Sequence, residues 1–140
     1  MRRFATVLVI ALGVVLLMRS IVSVAAPVPV SAELYDFGIR LSPQTIAPGD
    51  VVFTVRNTSQ NTVHEMVVAA TSLAPDQLPY QARSNRVEEK KVRSLGEVSD
   101  LRPGASGRLA LRMKPGTYMF YCNEPGHYKA GMVTVFTVTR

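Results

Sequence analysis

Cys122 is followed five residues later by His127, and five further on by Met132. Thiolate, imidazole and thioether are donor types that together suit copper. The chain has two histidines, and the other is His64. Two imidazoles, one thiolate and a nearby thioether match a trigonal His₂Cys copper site with a weak axial methionine. Each residue alone has a plainer reading. A single histidine is more often a satisfied core or surface residue than a ligand. A lone buried cysteine is more often a small hydrophobe. A methionine at a strand start is usually core. The combination, at this spacing and with turn residues in place, is what points to metal.

The elements around these residues must bring them together. Thr117 to Cys122 is rich in aromatics and puts Tyr118, Phe120 and Cys122 on one face of a strand. Met132 opens a last strand that runs to Thr139. The loop between must curl for three side chains to converge. Pro125-Gly126 supplies a tight turn before His127, and Gly131 lets the backbone bend before Met132. His64 falls in Val63 to Thr71, a stretch rich in β-branched residues. It shares a face with Met66 and Val68, which directs it toward an interior.

The rest of the chain is β-patterned. Tyr35, Phe37, Ile39 and Leu41 alternate with polar or small residues and predict one half-buried strand. Val51, Phe53 and Val55 alternate in the same way, as do Leu109, Leu111 and Met113. Turn residues such as Ala47-Pro48-Gly49-Asp50 and Pro115-Gly116 separate them. Short strands with such turns predict a β-sandwich or barrel. Ala74 to Pro103 is long, polar and charged. It is expected to be a solvated excursion with one weak edge strand around Val92 to Val98. The alternative is a partner-docking or specificity loop. Met66, Met113 and Met119 are expected in the core. Glu124 and Lys129 flank the ligand loop and are expected either to be solvated or to tune docking.

The Cys-x₄-His-x₄-Met loop, with Pro-Gly before the histidine and Ala-Gly before the methionine, resembles the cupredoxin family, and auracyanin-like bacterial members in particular. The resemblance covers His64 to Arg140 well and the first strands only in pattern. It implies an all-β Greek-key β-sandwich of about eight strands with one type 1 copper at one end. It implies His64, Cys122 and His127 as equatorial ligands and Met132 as the axial one. It also implies a carrier of single electrons that cycles between Cu(I) and Cu(II), not an enzyme. A periplasmic copper-tolerance or copper-delivery protein with the same site is the alternative. The partner is then a redox protein or a copper-handling protein. Two positions depart from the family pattern. Glu65 stands where many members have an Asn that ties the two ligand loops together. Asn123 stands where Ser or Thr is frequent. The tie is either rebuilt through Asn123 or lost.

Other chemistries lack their residues. Multicopper oxidation or copper-dependent nitrite reduction needs more than two histidines. A dinuclear copper centre needs a second cysteine in the loop. A zinc site has no use for the methionine, and an adhesion domain leaves the loop unexplained.

Residues 1–26 differ from the remainder. Arg2-Arg3 precedes Phe4 to Met18, fifteen residues without charge. As a helix these would span about 22 Å, short of the ~30 Å hydrocarbon core. Ser23-Val24-Ala25-Ala26 provides small residues for cleavage. This describes a signal peptide, with an uncleaved membrane anchor as the alternative. A cupredoxin domain is expected over 27–140. It is expected to be exported, in the periplasm or on the outer face of the cytoplasmic membrane. Only an uncleaved leader would attach it to a membrane. A single cysteine in an oxidising compartment also favours metal binding. The chain carries +6, but Arg2, Arg3 and Arg19 belong to the leader. Thirteen basic and ten acidic residues remain, a mild +3 with no basic stripe for nucleic acid.

Overall fold

The computed structural model describes residues 25–140, so the expected signal or anchor segment falls outside them apart from Ala25 and Ala26. Among the described residues no helix is long and apolar enough to cross a membrane. The strands are β1 (Val28–Tyr35), β2 (Gly38–Ser42), β3 (Thr45–Ile46), β4 (Gly49–Asn57), β5 (His64–Ala70), β6 (Tyr80–Gln81), β7 (Arg86–Val87), β8 (Arg93–Leu101), β9 (Ser106–Met113), β10 (Gly116–Tyr121) and β11 (Val133–Val138). β3, β6 and β7 have two residues each, so eight longer strands make the sandwich, as expected. A 3₁₀ turn, Glu89–Lys91, precedes β8.

One sheet of the sandwich runs β2-β1-β4-β9 and the other β3-β11-β10-β5-β8, while β6 and β7 pair with each other as a separate antiparallel hairpin. β1 pairs with β4 in parallel, and β3 with β11 in parallel; the other neighbours are antiparallel. The chain changes sheets after β2, β3, β4, β8 and β9, giving the Greek-key sandwich. Alternation explains the inner faces. Val30, Ala32 and Leu34 of β1 and Val51, Phe53 and Val55 of β4 point inward against Met66, Val68, Phe120 and Phe136. The Phe53 ring lies 5.1 Å from Phe120 and 5.6 Å from Phe136, tilted or edge-on.

Two expectations are corrected. Tyr35 to Leu41 is a hairpin, not one strand. β1 ends at Tyr35, Asp36 and Phe37 form the turn, and β2 begins at Gly38. Phe37 takes φ 59°. A two-residue turn preserves the alternation, so the sequence pattern continues across it. Phe37 is 51% exposed at the tip.

The second correction concerns 74–103. The edge strand exists and is longer than expected, since β8 pairs with β5 along its length. The part before it is a solvated excursion only in part, since residues 74–77 and 81–85 are exposed but Leu78 and Val87 are buried. β5 is buried almost throughout, on both faces. Met66 and Val68 face the sandwich core, whereas Val67 and Ala69 face outward with Met119 and Tyr121 of β10. That outer face needs a cover. Leu78, Val87 and Tyr128 provide it, with Tyr80 and Val92 packed alongside.

Candidate metal centre

One sheet delivers the donor atoms, because β5 and β10 run antiparallel and the start of one lies beside the end of the other. His64 opens β5 and is fully buried. Cys122 follows β10 and is also fully buried. His127 sits in the loop that leads to β11 and keeps one edge toward solvent. The Nδ1 atoms of His64 and His127 are 3.2 Å apart. Cys122 Sγ is 3.9 Å from His64 Nδ1 and 3.3 Å from His127 Nδ1. An ion held trigonally at ordinary N and S bond lengths, about 2.0 to 2.3 Å, separates its ligands by roughly 3.5 to 3.8 Å. The three observed separations lie around those values, so one ion fits among these atoms. The ligand atoms of His64, Cys122 and His127 all lie within 4.8 Å of one another, close enough to share a metal. Met132 is fully buried in the same core cluster as Cys122.

The backbone fixes this arrangement. Cys122 N–H donates to Met132 C=O at 3.0 Å, and Met132 N–H donates to His127 C=O at 3.1 Å. His127 N–H donates to Glu124 C=O, closing the Pro125-Gly126 turn. Gly126 and Gly131 hold φ 85° and 98°, left-handed values that a side chain resists. The bends expected at both glycines are therefore present. Glu65 N–H donates to Cys122 Sγ at 3.4 Å, joining the His64 strand to the cysteine. Below His64, Asn57 Nδ2 donates to the Thr62 and Leu101 carbonyls, and its Oδ1 accepts from Ser59.

Electrostatics favours neutral donors. Burial pushes the Cys122 thiol up to about 11, although the backbone N–H groups of Glu65 and Glu124 pull the other way. The thiol is thus protonated at neutral pH until a cation displaces the proton. Burial, then the charge of its histidine neighbour, lowers His64. Burial also lowers His127 against the upward pull of Glu124. Both imidazoles are neutral at pH 7, the form that binds metal. A donor Nδ1 leaves the proton of His64 on Nε2, which finds no hydrogen-bond partner among the described residues.

The tie expected from Asn123 takes a different route. Asn123 turns away from the His64 strand toward β7. Its Oδ1 accepts from Val87 N–H at 2.6 Å, and its Nδ2 donates to Val87 C=O and to Glu89 Oε1. Arg86, part of the charged segment 74–103, spans the ligand limbs. Its Nη1 donates to Asn123 C=O at 2.7 Å and lies 3.5 Å from Glu65 Oε1. Its Nη2 donates to Glu124 Oε2 at 3.2 Å. Glu65 is buried; burial first, then the Glu124 charge, raises its carboxyl to about 7 against the pull of Arg86. Glu124, expected either to be solvated or to tune docking, is half-buried in this pairing. Lys129 stays exposed, its ammonium 4.9 Å from the Tyr80 ring centre. Met66, Met113 and Met119 are core residues, as expected. Phe37 is a further neighbour that the strand reading misplaced. Its ring stands edge-on to His127 with centroids 5.7 Å apart.

A two-sheet β-sandwich with a buried cysteine between two histidines and a methionine in the closing loop defines a cupredoxin. Residues 32–139 match the family described as copper binding proteins, plastocyanin/azurin family. The chain belongs to that family, and its cofactor is a type 1 copper. Auracyanin-B of Chloroflexus aurantiacus is 50% identical over 47 residues, which are 33% of this chain and 20% of that protein. This chain therefore matches about a fifth of that relative's length. Reduced auracyanin from Roseiflexus castenholzii has a TM-score of 0.63 at 22% identity, covering 83% of this chain and 100% of that one. Rusticyanin from Thiobacillus ferrooxidans has a TM-score of 0.60 at 19% identity, covering 81% and 77%. At these identities the structural likeness speaks for the fold.

Proposed function

We propose that this protein is an exported carrier of single electrons. In this reading His64, Cys122 and His127 hold the copper equatorially and Met132 holds it axially. The carrying observation is the convergence of the three Nδ1 and Sγ atoms within 4.8 Å, held by strands and by backbone hydrogen bonds. Copper supplies a one-electron couple when bound. The chain's contribution is a fixed ligand set, so little has to move when the charge changes. Burial of Cys122 and Met132 excludes water from the donors. His127 is the ligand with an edge toward solvent, and the exposed Phe37 beside it makes that edge apolar. An apolar rim of this kind suits brief contact with a redox partner protein. Export is supported by the basic, apolar and small-residue order of residues 1–26.

Voltammetry of the copper-loaded protein tests the reading. A carrier gives a reversible one-electron wave and keeps its copper through repeated cycles. Loss of the ion on reduction would favour copper delivery or tolerance instead.

A further inference from the structure

The segment between β5 and β8 has more contact with the ligand loop than a cover for an apolar face requires. Eight hydrogen bonds join residues 75–89 to residues 123–128. Gly126 N–H donates to Asn85 C=O at 2.7 Å. Tyr128 Oη accepts from Leu78 N–H and donates to Pro75 C=O. Val87 and Asn123 exchange two bonds, and Asn123 adds a third to Glu89. Arg86 supplies the remaining two and also reaches Glu65, the residue after His64.

Of these residues, Arg86 alone contacts both ligand limbs through one rigid group. Its planar fork meets a carbonyl and a carboxylate on the loop side, and the buried Glu65 carboxyl lies 3.5 Å away on the β5 side. Such geometry adds direction as well as attraction. The pairs are partly withdrawn from water, with Glu65 and Glu124 side chains 10% and 21% exposed. Solvent screens them less than it screens a surface pair. Glu65 N–H in turn donates to Cys122 Sγ, so whatever holds Glu65 also aims that donor. Partners that orient metal ligands are worth about 10–100-fold in metal affinity.

We propose that Arg86 is a positioning residue for the copper site, and that the β6–β7 hairpin is a brace that presets the ligand loop before metal arrives. The inference rests on the copper reading above, and its test has an arm that does not. In the metal-free protein, amide hydrogen exchange reads the brace directly. Arg86→Gln is expected to speed exchange at Gly126 and His127 by about tenfold, the scale of one lost charge-assisted hydrogen bond. Amides of β4 and β9 keep their wild-type rates, which shows that the variant is folded. In the copper-loaded protein the same change is expected to lower Cu(II) affinity about 10–100-fold and to shift the copper absorption spectrum. Arg86→Lys retains the charge but not the fork, and is expected to restore neither. Should Arg86→Gln not fold, Glu124→Gln removes one arm of the fork and is expected to act in the same direction but more weakly. Wild-type exchange in Arg86→Gln overturns the proposal, as does full restoration by Arg86→Lys. Absence of a copper chromophore in the wild type would instead sink the copper reading, leaving the exchange arm to decide on the brace.

Discussion

β5 and β10 separate two apolar clusters of different character. On the inner side, Met66, Val68, Phe120 and Phe136 of one sheet meet Phe53 of the other across the sandwich. That cluster is built from the alternating residues of long strands, and hydrophobic burial holds it. On the outer side, Val67, Ala69, Met119 and Tyr121 meet Leu78, Val87 and Tyr128. Here short strands and a loop carry the packing, and hydrogen bonds to the ligand loop accompany it. Tyr121 Oη is buried there without a hydrogen-bond partner among the described residues. Burial, and then the charges of Glu89, Glu65 and Glu97, raise its pKa and keep the phenol neutral. The inner cluster makes the fold and also encloses Cys122 and Met132, whereas the outer one is tied to the ligand loop by hydrogen bonds. Stability and site geometry should therefore respond differently to damage on the two sides.

Phe53→Ala gives the largest loss of stability, about 3–5 kcal/mol, by opening a cavity among three packed rings. Denaturant unfolding measures it. The folded fraction is expected to keep a wild-type copper spectrum. Leu78→Ala, on the outer side, costs about 2–3 kcal/mol, the lower part of the range for a buried leucine at the edge of a cluster. Unlike Phe53→Ala, it is expected to shift the copper spectrum. Tyr128→Phe has the smallest effect on unfolding, about 1–2 kcal/mol, because Leu78 N–H and Pro75 C=O each lose a partner. Its spectral shift should still exceed that of Phe53→Ala. A larger spectral change from the inner substitution than from both outer ones would erase the distinction.

The ligand loop was readable because its chemistry is local. Cys122, His127 and Met132 carry fixed spacings, and Pro125-Gly126 and Gly131 mark the bends. His64 became readable as the second histidine on a strand that also bears Met66 and Val68. The hairpin at Asp36-Phe37 was hidden because its turn has an aromatic in a left-handed conformation and leaves the alternation intact. The outer cluster was hidden by charge. Arg83, Arg86, Glu88, Glu89, Lys90 and Lys91 made the segment read as solvated, although Leu78 and Val87 lie buried within it. A signal did exist on the other partner. Val67, Ala69 and Tyr121 alternate with core residues, so their strands are apolar on both faces and require a second cover. The role of Arg86 had no such signal. It depends on Glu65, Asn123 and Glu124, which come together only when β7 folds back over the loop.

The central claim is that copper sits at Cys122 between His64 and His127. The visible absorption of the Cu(II)-loaded protein, compared with Cys122→Ala, tests it most directly. The account predicts an intense thiolate-to-copper charge-transfer band in the wild type and none in the variant. A colourless wild type, or a band that survives in Cys122→Ala, would contradict it.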